Sequence, residues 1–214
     1  MTEAMVFDFG GVLFNWRPTE LLQALLPHRI QGAAQAQSWT EQVFQSFIPG
    51  ADWSEFDRGV LEPEVVCQRI ALRTGLPRDE IRLVMESIPH HLEPIAGTVE
   101  WLKRLADQGV PLFFLSNMPR PYALHLMRQH PFLAQFQGGV FSCDVHQVKP
   151  DAAIFETTAQ RYGLDVLRTV FIDDHPRNVE TARNLGWRAV QFESAGQCES
   201  ALDALGWLPT RPTR

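Results

Sequence analysis

The tightest constraint on the fold of this chain is a rhythm that is broken once. A short apolar run, Ala4–Phe9, stops at Gly10-Gly11 and reads as a buried strand ending in a turn. From Ile95 onward helices and strands then alternate. Thr98–Gln108 is a helix closed by Gly109, followed by a strand at Val110–Leu115 and a helix at Pro121–Gln129. Gly139–Phe141 is a strand, and Asp151–Tyr162 a helix closed by Gly163. Thr169–Ile172 is a strand, Pro176–Leu185 a helix closed by Gly186, Arg188–Gln191 a strand and Cys198–Leu205 a last helix closed by Gly206. This alternation predicts an α/β fold with a doubly wound, parallel, Rossmann-like sheet. The tail Pro209–Arg214 is expected to fray.

The interruption lies between the first strand and the rest. Leu21, Leu22, Leu25 and Leu26 recur at helical spacing, as do Val65, Val66, Ile70 and Leu72, and again Ile81, Val84, Met85 and Ile88. The expected organisation is a core of residues 1–15 and 92–214 with an α-helical cap at 16–91. The insert leaves from the carboxyl end of a strand, where open α/β sheets bind ligands, so it is placed to cover a site.

Composition removes several function classes. The 214 residues carry a formal net charge of −6, which leaves no electrostatic footprint for nucleic acid. The longest apolar run, Val110–Leu115, includes Pro111 and is far short of the ~20 residues that span a bilayer. No basic segment precedes an apolar core at the N-terminus, so no secretory leader is expected. The three cysteines, Cys67, Cys143 and Cys198, are too scattered for a disulfide framework or a zinc site. A cytoplasmic monomer or homodimer, with neither nucleic-acid nor membrane partners, is expected.

Four segments place polar groups just past predicted strands: Phe7-Asp8-Phe9-Gly10-Gly11, Leu115-Ser116-Asn117, Val148-Lys149-Pro150-Asp151 and Ile172-Asp173-Asp174. In this order they resemble the four motifs of the haloacid dehalogenase-like hydrolase superfamily, in the subfamily whose helical cap follows the first motif. The resemblance implies Asp8 as nucleophile, Ser116 and Asn117 as phosphate-binding groups, and Lys149 as the cation that neutralises charge. It also implies a Mg²⁺ ion held by Asp8, Asp173, Asp174 and the main-chain carbonyl of Gly10. The charge logic agrees. An anionic carboxylate attacks an anionic phosphoester only when cations offset the repulsion and hold the atoms in line. Three carboxylates are balanced by Mg²⁺ and Lys149, and Mg²⁺ favours such hard oxygen ligands.

One position departs from the family's phosphatases, which place a second aspartate two residues after the first as general acid and base. Gly10 stands there, as in the family's sugar-phosphatase-like branch. Three readings follow. The first is a Mg²⁺-dependent phosphatase for a small phosphorylated metabolite, sugar phosphates among them, acting through an aspartyl phosphate. The second is a 2-haloacid dehalogenase, since halide leaves without a proton. The third is a catalytically weak phospho-ligand-binding or regulatory protein. The adjacent pair Asp173-Asp174 favours the metal-using phosphatase. His146 and His175 are candidates to replace the missing acid. Trp53, Phe56, Asp57, Arg58 and Gly59 resemble the cap segment that faces the site, and Trp16 and Arg17 sit where the chain enters the cap; any of these could contact the leaving group, with Trp16, Trp53 and Arg58 as the candidate substrate contacts singled out. Asn178, one turn beyond the acidic pair, could reach its carboxylates or their waters. The same residue types also serve as turn formers, helix caps and core.

Of 19 basic residues only Lys103 and Lys149 are lysine. A compact ammonium at Lys149 suits a carboxylate and a phosphate together, whereas arginine's planar fork does not. Lys149→Arg should therefore lower hydrolytic turnover by at least ~10-fold, and Lys103→Arg should leave it intact. Equal steady-state rates in the two variants would overturn the assignment.

Overall fold

The computed structural model describes residues 4–45, 48 and 50–207, so the expected fraying of Pro209–Arg214 lies outside the described residues. Five strands, β1 (Ala4–Phe7), β2 (Leu112–Ser116), β3 (Gly138–Phe141), β4 (Thr169–Asp173) and β5 (Arg188–Gln191), form one sheet in the order β3-β2-β1-β4-β5. All four pairings are parallel. Among the described residues six α-helices lie between β1 and β2, beginning with α1 (Pro18–Leu25), α2 (Ala33–Phe44), α3 (Asp52–Asp57), α4 (Pro63–Thr74) and α5 (Arg78–His91). The sixth is α6 (Ala96–Asp107), and α7 (Arg120–Gln129), α8 (Ser142–Val145), α9 (Ala152–Tyr162), α10 (Pro176–Asn184) and α11 (Ala195–Ala204) follow.

A parallel sheet covered on both faces needs strands that are apolar throughout, and β1 is buried at every residue. Alternation sends Met5 and Phe7 to one face and Ala4 and Val6 to the other. On the first face they pack with Trp101, Leu102 and Leu105 of α6 and Cys198 and Leu202 of α11. On the second they meet Ile154 and Phe155 of α9 and Val179 and Ala182 of α10. The first cluster runs on without a break into Leu22, Val66, Ile70, Ile81 and Val84 of the helical insert. The three cysteines are buried free thiols. No described helix is long and apolar enough to cross a membrane.

Three local features differ from the sequence expectation. The second strand starts at Leu112 rather than Val110, because Pro111 has no N–H to give a ladder and serves only as an acceptor for Met5 N at 2.9 Å. The last helix starts at Ala195, where the Ser194 side chain accepts the N–H of Gln197, three residues ahead of Cys198. Helices α2 and α3 carry no strong apolar period. The buried face of α2 consists of Ala36, Thr40, Val43 and Phe44, two of which are small or polar.

Register brings the site-bearing ends of the strands together. Phe7 pairs with Phe114 on one side and Ile172 on the other, so Asp8, Ser116 and Asp173 emerge at one edge of the sheet. Asp8 N continues the ladder to Ile172 O at 2.9 Å. The chain then turns at Gly11, whose N–H reaches Phe14 O at 2.8 Å. Gly11 has φ +74°, and a Cβ there would stand 2.3 Å from Oδ2 of Asp174. The turn thus needs glycine twice, for backbone conformation and for room beside a carboxylate. Gly11→Ala should destabilise the fold by ~1–2 kcal/mol and displace the Asp174 side chain. Denaturant unfolding checks the first effect and a weakened calorimetric titration with Mg²⁺ the second. An alanine variant that matches the parent in both would remove Gly11 from the account.

Candidate active site

The floor of the site is a buried charge cluster. Lys149 Nζ lies 2.9 Å from Asp8 Oδ1 and 2.6 Å from Asp173 Oδ2, with Lys149 3% exposed and Asp173 fully buried. Burial alone would lower the Lys149 pKa, but Asp173 and Asp8 outweigh it and raise it, so the ammonium stays charged. Asp173 also accepts Asn178 Nδ2, at 3.0 Å to both oxygens, and the His175 N–H at 2.8 Å. It lies beneath the cavity and holds Lys149 and Asn178 in place.

Asp8 sits above it, with Oδ1 accepting the N–H of Phe9 at 2.7 Å. Burial pushes its pKa up to about 7, Lys149 pulls it down, and Asp173 and Asp174 push it up again. Asp174 is raised to about 6 by burial and by Asp173, against Lys149. Oxygens of Asp8, Asp173 and Asp174 all lie within 4.8 Å of one another. Carboxylates crowded in this way, two of them (Asp8 and Asp174) with raised affinity for protons, also favour a cation. Their donors are all oxygen, the set a small hard divalent ion takes. Among the described residues the buried Asn178 Oδ1 has no hydrogen-bond partner, and Asn178 borders the cavity, leaving an oxygen acceptor beside the carboxylates. These residues fit a magnesium-type ion.

A cavity of about 390 Å³ opens over this floor. Asp8, Gly10, Trp16, Trp53, Ser116, Asn117, Lys149, Asp174 and Asn178, all singled out in the sequence, border it. Ser116 is buried at the end of β2. Asn117 differs from the expectation. Its Nδ2 donates to Lys149 O at 2.9 Å and its Oδ1 accepts Lys149 N at 2.8 Å, so its amide clamps the lysine loop instead of pointing at a ligand. Arg58 differs too: it is absent from the cavity wall and pairs with Glu55 at 3.4 Å and Asp151 at 3.6 Å. His146 is likewise absent from that wall, its Nδ1 lying 3.0 Å from Arg58 O. His175 borders the cavity, but its Nδ1 accepts Arg177 N and caps α10.

The opposite wall holds Asp57, from the segment singled out in the sequence, and residues that the sequence does not announce: Phe44, Ile88, Leu92, Met118 and Tyr122 also border the cavity. Aromatic rings meet edge to face in sequence, Trp16–Phe44 at 5.3 Å, Phe44–Trp53 at 4.7 Å, Trp53–Phe56 at 5.6 Å and Phe56–Tyr122 at 5.6 Å. Tyr122 then donates to Met85 O at 2.7 Å, tying α7 to α5. Asp57 had a legible signal, since it stands four residues after Trp53 and so on the same helical face, with Arg58 off that face. Phe44 had none, because its helix has no apolar period that stands out.

Comparison with known proteins agrees with this geometry. A family model described as haloacid dehalogenase-like hydrolase matches residues 2–186. The chain is 28% identical over 185 residues to the sesquiterpene phosphatase astK of Aspergillus oryzae (strain ATCC 42149 / RIB 40), covering 86% of each chain. It is 24% identical over 220 residues to the (S)-2-haloacid dehalogenase H-109 of Pseudomonas putida, covering 99% of this chain and 93% of that one. Among solved structures, the HAD family enzyme bt-2542 from Bacteroides thetaiotaomicron, in complex with magnesium and inorganic phosphate, superposes with a TM-score of 0.70 at 18% identity. That match covers 91% of this chain and 96% of the other. A parallel sheet with acidic loops at its carboxyl edge, and a family match over most of its length, make this chain a haloacid dehalogenase-like hydrolase.

Proposed function

We propose that this hydrolase is a Mg²⁺-dependent phosphatase that transfers phosphate to Asp8, with residues 16–91 acting as the cap over the substrate. The observation that carries the reading is the convergence of the Asp8, Asp173 and Asp174 oxygens within 4.8 Å, beside the Lys149 ammonium. A dehalogenase needs no cation of this strength, because halide leaves without a dianion to stabilise. In the phosphatase, Asp8, Asp173, Asp174 and the Gly10 carbonyl hold the ion, which when bound neutralises charge on the phosphoryl oxygens. Asp8 attacks phosphorus in line, the ester oxygen departs, and water then hydrolyses the aspartyl phosphate. Lys149 holds Asp8 in the attacking position and offsets its charge. Ser116 donates to a phosphate oxygen, while Asn117 fixes the loop that carries Lys149.

The leaving alcohol is apolar in this proposal. Trp16, Phe44, Trp53, Ile88, Leu92 and Tyr122 surround the space beyond the phosphate position. The polar groups on that side, Gln45, Ser54 and Asp57, are few beside this apolar surface, so an apolar alcohol fits it better than a sugar bearing many hydroxyls. The similarity to a sesquiterpene phosphatase supports the same substrate class. Phosphate release from hexyl, prenyl and aryl phosphates should exceed release from hexose phosphates by at least ~10-fold in kcat/KM, and chelation of Mg²⁺ should abolish both. Full activity in chelator, or a preference for hexose phosphates, would sink the corresponding half of the proposal.

Metal binding should depend on pH with a defined sign. Asp8 and Asp174, raised to about 7 and about 6, keep protons on the acid side of those values, and an incoming cation must displace them. Mg²⁺ affinity and the Mg²⁺-induced rise in Tm should therefore both grow between roughly pH 6 and pH 8. A Tm rise that stays flat or shrinks over that range would contradict the coupling.

A further inference from the structure

We infer that Asp57, reaching down from α3, is the proton donor that the first motif lacks at Gly10. This rests on the phosphatase reading above. The two positions border the same cavity, Gly10 from the floor and Asp57 from the helical wall. Asp57 is anchored by its backbone, with its carbonyl accepting Ser142 Oγ at 2.5 Å. The same hydroxyl oxygen accepts Met118 N at 2.9 Å, two residues beyond Ser116. One serine thus pins the end of α3 to the loop that leaves β2. Asp57 is held in the cavity wall by backbone contacts and not by its own oxygens.

Those oxygens are uncommitted. Among the described residues, the Asp57 side chain forms no hydrogen bond or ion pair, although it is half-buried in a wall of aromatic rings. A half-buried carboxylate without a partner is costly, whereas a protonated carboxyl facing a substrate oxygen is not. Burial, with Asp8 adding and Lys149 subtracting, pushes its pKa up to about 8. That shift is in the direction a general acid needs. The histidines are engaged elsewhere: His175 Nδ1 caps α10, and His146 does not border the cavity.

The proton balance closes within the site. As Asp8 bonds to phosphorus and the ester P–O bond breaks, the Asp57 proton passes to the departing alkoxide, which leaves as an alcohol. Water then attacks the aspartyl phosphate, and its proton returns to the Asp57 carboxylate as the bond from phosphorus to Asp8 breaks. Inorganic phosphate leaves and Asp57 is protonated again. A proton donor placed in the cap reaches the site only when the cap is over the substrate, which couples closure to chemistry.

The test measures phosphoryl transfer to Asp8 in single turnovers with Mg²⁺, using hexyl phosphate and 4-nitrophenyl phosphate. 4-Nitrophenolate leaves readily without a proton and hexanolate does not. Asp57→Asn should slow transfer from hexyl phosphate by at least ~100-fold, and from 4-nitrophenyl phosphate by less than about fivefold. Asp57→Ser, a second variant without an acid, should show the same split, and a Tm within ~2 °C of the parent establishes that either variant is folded. Equal slowing of both esters in a folded variant, or no slowing of either, would overturn the assignment while leaving the phosphatase reading standing. A parent protein that forms no phosphoenzyme from either ester would overturn both.

Discussion

The structure turns on one buried ammonium. Lys149 lies between Asp8 and Asp173 at 2.9 and 2.6 Å, almost without solvent. Three carboxylates could not be gathered at the end of a sheet without it, because each would hold its proton or recede toward water. The pair is worth little as a source of net stability, since desolvation offsets most of the attraction. Removing one partner leaves an uncompensated charge, which typically costs ~3–5 kcal/mol. The surroundings are arranged to keep the lysine in place. Asn117 clamps its backbone from both sides, Asn178 and the His175 N–H fix the aspartate beneath it, and the Phe171 ring lies 5.6 Å from its Nζ.

That arrangement follows from the parallel sheet. Strands with their carboxyl ends at one edge deliver the residues that follow them to one place, however far apart they are in the chain. Asp8 and Asp173 are neighbours because Phe7 and Ile172 are in register. The helical insert leaves at that edge, so its apolar faces share a core with the sheet and its remaining face closes the cavity. The catalytic floor is polar and the lid is aromatic. In the proposed phosphatase this contrast separates two tasks, stabilising charge below and holding an apolar alcohol above.

Much of this was legible in the sequence. The order of strands and helices, the helical nature of the insert and the four polar segments at strand ends could all be read from apolar period and turn residues. Asp8, Ser116 and Asp173 gather because backbone register brings their strand ends to one edge, and Lys149 joins them through the loop that Asn117 clamps. Asn117 and Arg58 fared differently. Both have side chains long enough to choose among partners, and each found one that sequence does not reveal: a lysine loop 32 residues away for Asn117 and Asp151 for Arg58. Helix α2 stayed unread because its buried face includes Ala36 and Thr40, which carry little apolar signal.

The sequence by itself determined the sheet, the insert and the chemistry available at the sheet edge, because each depends on local period, turn residues and residue type. Tertiary structure decided which members of the Trp53–Gly59 segment border the same cavity as Gly10, Asp57 among them. Asp57 lies 47 positions further along the chain, and its proximity to the charge cluster comes from Ser142 binding its carbonyl and from aromatic packing of Trp53 and Phe56. A chain can record that a catalytic position has been emptied. Only the folded helical insert shows which distant side chains border the same cavity, because that depends on packing contacts between elements whose separation in sequence carries no information.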